Sequence, residues 1–114
     1  APELMLAPTT YEKSADVWSL GCIMGELIRS QPLFPGHGTP DQIWTISTVL
    51  GPLTEHQQEI FKHSSWFKGI PLYVVKEPQT LEKLCGDKCS PSALSLLSQL
   101  VGMDPSARPS CAEA

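Results

Sequence analysis

Residues 14–28 constrain this chain most, because apolar side chains cover nearly the whole circumference of the helix that they predict. One stripe at steps of three and four residues contains Val17, Leu20, Met24, Leu27 and Ile28. Trp18, Cys22 and Ile23 place apolar surface on the other side. A helix that is apolar all round is either buried or spans a membrane, and a span needs roughly 18 apolar residues. Glu26 interrupts a shorter run here, so the sequence predicts a central helix with neighbours on every side.

The composition is that of a soluble globular domain, with 41% hydrophobic and 18% charged residues. Eleven prolines divide the chain into short helices and loops and argue against long strands. The net charge of −4 and the scattered lysines and arginines argue against a nucleic-acid-binding surface. The sequence also lacks the cluster of basic residues that would indicate binding to an anionic membrane.

The cysteines indicate a reducing environment. The four cysteines are Cys22, Cys85, Cys89 and Cys111, and none of them forms a C-x-x-C motif. A zinc site needs nitrogen or sulfur ligands at regular spacing, and the three histidines do not supply them. We therefore expect four free thiols, no metal site and an intracellular location.

Helix-start signals organise the rest of the chain. The predicted N-caps are Ser14, Thr39, Thr54, Ser90 and Ser110. At three of them a Gln or Glu three residues later predicts a capping box, and at two a proline follows the cap directly. Trp44 falls on the flank of the stripe formed by Ile43, Ile46 and Leu50. We interpret Trp44 as an edge residue of the core, although an exposed tryptophan would mark a partner surface.

Four motifs occur in a fixed order along the chain. They are A-P-E at 1–3, D-V-W-S-L-G-C at 16–22, P-L-F-P-G at 32–36 and M-D-P-S-A-R-P-S at 103–110. Together they resemble eukaryotic protein kinases, in which A-P-E ends the activation segment and the second motif lies on the central helix of the large lobe. P-L-F-P-G is similar to the CMGC group of kinases. The stretches H-Q-Q-E-I-F and W-F-K-G-I-P are most similar to its cyclin-dependent-kinase-like members.

The resemblance implies a mainly α chain that forms the helical lower part of the large, C-terminal lobe of the two-lobed kinase fold. Residues 1–114 would be a partial kinase domain, which ends at the start of the last helix. The Gly-rich loop, the nucleotide-binding lysine, H-R-D and D-F-G all precede A-P-E in a kinase. The resemblance therefore places no catalytic residue and no ligand of ATP or Mg²⁺ in this chain. The parent chain would use both, and the fragment alone would be inactive.

The resemblance also gives roles to single residues. Glu3 and Arg108 match the ion pair that ties the end of the activation segment to the loop before the last helix. If the pair is buried, as we expect, removing one partner should cost about 3–5 kcal/mol. If both were exposed, the pair would contribute only about 0–1 kcal/mol. Asp16 matches the aspartate that anchors the catalytic loop, and we expect it to be solvated where that loop is missing. The positions expected to support the core are Trp18, Leu33 and Phe34.

Three functions stay open at this point. The first is part of a serine/threonine kinase that transfers the γ-phosphoryl group of Mg-ATP to protein hydroxyls, with a face at residues 39–72 for protein substrate or regulator. The second is a pseudokinase or truncated product that acts as a protein-binding module. The third, an unrelated helical adaptor, is disfavoured by four ordered motifs. On its own, the chain would leave apolar surface of the central helix uncovered, so we expect self-association or loose folding.

Overall fold

A computed structural model describes residues 1–6, 13–36, 38–72, 77–110 and 112–113 of the chain. These residues form helices and no strand. The α-helices are α1 (Pro2–Leu6), α2 (Lys13–Arg29), α3 (Thr39–Leu50), α4 (Glu55–His63), α5 (Leu81–Cys85) and α6 (Pro91–Leu100). Two short 3₁₀ helices cover Ser65–Phe67 and Pro105–Ala107. The mainly α architecture is therefore confirmed, and within the described ranges no helix is long and apolar enough to cross a membrane.

Helix α2 is central, but it is covered on only part of its circumference. It packs against α5, α6 and the 3₁₀ helix at Pro105–Ala107. Its buried residues are Ala15, Val17, Trp18, Gly21 and Gly25. Leu20, Ile23 and Leu27 are 50%, 57% and 79% exposed in the described part of the chain. The prediction that Leu20 and Leu27 share a buried stripe is thus wrong. Their exposure agrees instead with the expectation that this chain alone leaves apolar surface of the central helix uncovered.

Two glycines explain which side of α2 is buried. A Cβ atom on Gly21 would lie 2.5 Å from Val101 Cγ1 and 2.9 Å from Leu100 Cβ. A Cβ atom on Gly25 would lie 2.8 Å from Leu33 Cδ2. The absence of side chains therefore lets α6 and the P-L-F-P-G loop approach the helix backbone closely, and the leucines on the opposite side stay at the surface.

Apolar side chains form two cores that share α3. The first core contains Trp18, Leu33, Ile46, Val49, Leu81, Cys85, Leu97 and Val101. The second core contains Leu6, Ile43, Leu53, Phe61 and Phe67. Because Ile43 faces one core while Ile46 and Val49 face the other, α3 joins the α2 region to the region around α1 and α4.

Three of the predicted caps form as the local sequence indicates. The Thr54 hydroxyl accepts a hydrogen bond from Gln57 N at 3.2 Å, and Thr54 N donates to Gln57 Oε1 at 3.1 Å. The Ser90 hydroxyl accepts from the third residue of α6 at 3.2 Å. Ser110 and Glu113 form the same reciprocal pair of hydrogen bonds as Thr54 and Gln57, at 3.2 Å for each bond.

Two predicted caps are wrong. Thr39 lies inside α3, whose N-cap is Gly38, and no side-chain hydrogen bond caps that end. Gln42, the expected partner in the capping box, instead donates from its amide to the carbonyl of Phe34. The P-L-F-P-G loop folds back over the start of α3 and supplies this acceptor. Ser14 is also within its helix, because α2 begins one residue earlier.

Candidate functional site

Arg108 joins its own segment of the chain to two distant ones through its guanidinium group. Its NH1 and NH2 groups donate to Glu3 Oε1 at 2.8 Å and Oε2 at 3.0 Å, which is the bidentate geometry of a strong charge-assisted pair. NH1 also donates to the carbonyl of Ser14 at 2.9 Å, and Nε to that of Gly102 at 2.9 Å. The guanidinium carbon lies 5.0 Å from the centroid of the Trp18 ring, within cation–π range. We call this arrangement the arginine clamp.

The local sequence presents Arg108 to the clamp. Asp104 Oδ1 accepts hydrogen bonds from the backbone N–H of Ser106 at 3.0 Å and from its hydroxyl at 2.7 Å. Pro105 occupies the first turn of the 3₁₀ helix that follows, where a missing N–H costs nothing. This short capped turn ends at Arg108 and packs on α2, so the guanidinium group reaches both α2 and α1.

Burial makes the contact between Glu3 and Arg108 energetically important. The Arg108 side chain is 0% exposed and the Glu3 side chain 22%. Burial raises the pKa of the Glu3 carboxyl, but the hydrogen bonds and positive charge of Arg108 outweigh it, so the pKa lies below its ordinary value. The alternative of an exposed, weak pair therefore does not apply. Removing one partner of a buried pair costs about 3–5 kcal/mol, because the other charge is left uncompensated.

The other residues singled out from the sequence divide between the core and the surface. Trp18 is 3% exposed and stacks on Phe34, with 5.3 Å between ring centroids and 14° between ring planes. Leu33 is 3% exposed and fills the space beside Gly25. Asp16 lies at the surface in the first turn of α2. The structure thus brings the aromatic pair and the arginine clamp together and leaves the Asp16 carboxylate accessible.

A groove of about 260 Å³ lies between α3 and the segment that follows α4. We call it the α3–α4 groove. Its lining residues are Asp41, Ile43, Trp44, Ser47, Phe61, Ile70, Pro71 and Leu72. Trp44 is 49% and Ile70 is 38% exposed, so the interpretation of Trp44 as an edge residue of the core is wrong. About half of the Trp44 side chain is therefore accessible to solvent at the groove.

The described cysteines and histidines do not form a metal centre. Cys22, Cys85 and Cys89 are free thiols, as predicted, while Cys111 lies outside the described residues. Burial raises the pKa of the Cys22 and Cys85 thiols, so both stay protonated and unreactive near neutral pH. Among the described residues, no group of three or more His, Cys, Asp or Glu side chains is placed to hold a metal ion.

Sequence reasoning missed several parts of these sites. The carbonyls of Ser14 and Gly102 accept hydrogen bonds in the clamp, and a backbone acceptor has no signature in the sequence. The close approach at Gly21 and Gly25 does have one, because two glycines four residues apart lie on the same face of a helix. The exposure of Ile70 depends on distant packing and has no local signal.

Comparison with known proteins gives one consistent result. Residues 1–114 match the protein kinase domain family. The chain is 43% identical over 108 residues to the cyclin-dependent kinase-like 5 proteins of Mus musculus and Homo sapiens, which covers 95% of this chain and 11% of each relative. It is 38% identical over 113 residues to cyclin-dependent kinase-like 4 of Mus musculus, which covers 99% of this chain and 33% of the relative. The chain therefore spans only a minor part of the length of these relatives.

Proposed function

The chain belongs to the protein kinase family, and from this premise we propose that it is part of a serine/threonine kinase of the cyclin-dependent-kinase-like type. The full-length protein would transfer the γ-phosphoryl group of Mg-ATP to hydroxyl groups of protein substrates. The observation that carries the proposal is the match of all 114 residues to the kinase domain. The similarity to cyclin-dependent kinase-like relatives supports the finer assignment.

In this proposal the chain is the lower part of the C-terminal lobe and holds the activation segment in place. A-P-E, the motif that ends that segment, opens α1, and its Glu3 is gripped by the arginine clamp. Because the clamp also binds the Ser14 carbonyl, the end of the segment is fixed to the central helix. We propose that this contact keeps the substrate-facing part of the kinase in one position.

ATP and Mg²⁺ supply the transferred group and neutralise its charge, and residues outside this chain would hold them. The chain's own contribution near the chemistry would come from Asp16. Its carboxylate stands at the surface in the first turn of α2, where it can accept hydrogen bonds from backbone N–H groups of a catalytic loop. We assign Asp16 a positioning role, because it would act on the reaction only through that loop.

Phosphoryl transfer by the full-length protein is the direct test of the proposal. The protein is incubated with Mg²⁺, [γ-³²P]ATP and a general protein substrate, and the labelled amino acids are separated. Label on phosphoserine and phosphothreonine supports the proposal, and label on phosphotyrosine alone contradicts it.

Mass-spectrometric peptide mapping upstream of Ala1 shows whether H-R-D and D-F-G are present. Without transfer and without these motifs, the protein would be a pseudokinase or truncated product that binds partners through residues 39–72.

The positioning role of Asp16 needs a separate variant. Asp16→Asn keeps the shape of the side chain but removes the charge that makes its hydrogen bonds strong. We expect kcat to fall about tenfold or more while KM for ATP stays the same, since one charge-assisted hydrogen bond contributes about 1.5–3 kcal/mol. Glu26→Gln, which changes an exposed acid on the same helix, is the control. An equal loss in both variants, or a change in KM alone, would rule out the role.

A further inference from the structure

The α3–α4 groove continues into a second depression of about 670 Å³. The two share Phe61, Ile70 and Leu72 as a common wall. The second depression is also lined by Lys62, His63 and Lys68, by the two serines that follow α4, and by Phe67 and Gly69. An apolar site and a basic site therefore lie side by side on one face of the molecule.

The charge of this face is opposite to that of the whole chain. The sequence has 12 acidic and 8 basic residues, yet residues 61–72 contain two lysines, one histidine and no acid. Lys62 and Lys68 are both exposed. Asp41 is the acidic residue among the described lining residues of the two depressions, and the Glu59 carboxylate lies 3.3 Å from His63 Nε2. The two lysines therefore give this end of the surface its charge.

We propose that this surface binds a segment of a protein partner that combines a large apolar side chain with neighbouring carboxylates. The apolar side chain would pack beside Trp44 and Ile70, and the carboxylates would lie beside Lys62 and Lys68. The inference rests on the partner face proposed above and adds to it the chemistry of the partner. Charge complementarity of this kind sets which partner is accepted and how fast it associates.

The size and charge of the surface favour a peptide segment over other occupants. The α3–α4 groove, at about 260 Å³, is slightly below the roughly 300–1,000 Å³ typical of small-molecule pockets and suits one inserted side chain, and the adjoining depression of about 670 Å³ leaves room for the neighbouring residues of a segment. Membrane recognition by charge uses clusters of about four to eight Lys or Arg residues. Two lysines beside a half-exposed tryptophan are too few for that purpose, whereas they match a short acidic segment.

The test begins with a random 12-residue peptide library displayed on phage and panned on the immobilised full-length protein. Phage that also bind the Trp44→Ala variant are discarded. We expect the enriched peptides to combine an aromatic or large aliphatic residue with at least two Asp or Glu residues. No enrichment, or enrichment of peptides with net positive charge, would overturn the inference.

The most enriched peptide is then labelled and its Kd is measured by fluorescence anisotropy. Lys62→Glu combined with Lys68→Glu should weaken binding about tenfold at low salt and less at high salt, because exposed charges are screened. The matched control is Lys83→Glu combined with Lys88→Glu. It reverses the charge of one exposed lysine on α5 and of another that follows this helix. Equal weakening by both double variants would contradict the assigned site. Thermal melts of all variants check that each is folded.

Two further measurements separate other occupants from the peptide segment. Trp44-dependent binding to vesicles of phosphatidylcholine and phosphatidylserine would assign the surface to membranes, and Trp44-dependent self-association would assign it to a second copy. Either outcome overturns the inference. A protein that transfers phosphate but binds no acidic peptide refutes only this inference. One that binds the peptide but transfers no phosphate refutes only the proposed phosphoryl transfer.

Discussion

The two tryptophans Trp18 and Trp44 show that two regions of this molecule use aromatic surface in different ways. Trp18 is 3% exposed, stacks on Phe34 and lies against the guanidinium group of Arg108. Trp44 is 49% exposed beside a groove. In the first region the apolar surface is already buried and stabilises the fold. In the second, part of it remains accessible, so its burial can contribute to binding instead. The following variants test this division.

The largest effect is expected from Arg108→Ala. It removes the buried partner of Glu3 together with the contact to Trp18, so the free energy of unfolding should fall by about 3–5 kcal/mol. This is a large fraction of the roughly 5–15 kcal/mol that stabilises an ordinary domain. Urea unfolding of the intact kinase domain measures the change. Arg29→Ala is the control, because the hydrogen bond from Arg29 to the carbonyl of Pro32, at 3.1 Å, is exposed. Similar losses in both variants would contradict the importance of the clamp.

Gly21→Ala should destabilise by about 1–3 kcal/mol, although alanine is the better helix former. Helix propensity alone predicts a gain of about 1 kcal/mol. The new Cβ atom, however, would lie 2.5 Å from Val101 Cγ1, and such overpacking outweighs the gain. Gly102→Ala is the control, since its Cβ atom would meet Gln99 O at an ordinary 3.5 Å. An unchanged or raised urea midpoint for Gly21→Ala would show that α2 and α6 are less tightly packed.

The pH dependence of stability should depend on Glu3. Its pKa is lower in the folded protein than in the unfolded chain, because Arg108 stabilises the ionised carboxylate. Its stabilising contribution is therefore complete above the ordinary pKa of 4.5 and is lost as the pH falls through the lower folded-state pKa. Urea midpoints of the original protein and of Glu3→Gln should differ most at pH 6 to 7 and converge in acid. A constant difference across this range would exclude the titration of Glu3 as the cause.

The smallest effect on stability is expected from Trp44→Ala. Half of the ring is already in water, so its removal should lower the free energy of unfolding by about 1 kcal/mol or less, against the roughly 3–5 kcal/mol of a buried Trp→Ala change. Urea unfolding of Trp44→Ala beside Trp18→Ala makes the comparison directly. A loss for Trp44→Ala as large as that for Trp18→Ala would show that the α3–α4 groove belongs to the core.

Interactions within a few residues were predictable from the sequence. The capping box of Thr54 and Gln57 and the cap at Ser90 depend on atoms three residues apart, so the local pattern is sufficient. The capping box predicted at Thr39 does not form, because the Gln42 amide donates its hydrogen bond to the carbonyl of Phe34, eight residues away. Local preference was thus overridden by a loop whose position only tertiary packing determines.

The apolar pattern located α2 but not its buried side. A count of apolar residues predicts that Leu20 and Leu27 are buried. The neighbouring elements instead approach α2 most closely at Gly21 and Gly25, which add nothing to such a count. The contact of Glu3 with Arg108 was expected only from the family resemblance, because the residues are 105 positions apart. The groove could not be predicted, since the exposure of Trp44 depends on what other elements leave uncovered.

The separation of the two clamp residues also has a consequence during protein synthesis. Glu3 leaves the ribosome 105 residues before Arg108 does. At typical rates of about 5–20 residues per second, the carboxylate waits roughly 5–20 s for its partner. During that interval α1 has no clamp to hold it on α2, so the nascent chain is open to chaperones and proteases. The contact between α1 and α2 that the clamp provides can therefore form only after Arg108 has been synthesised.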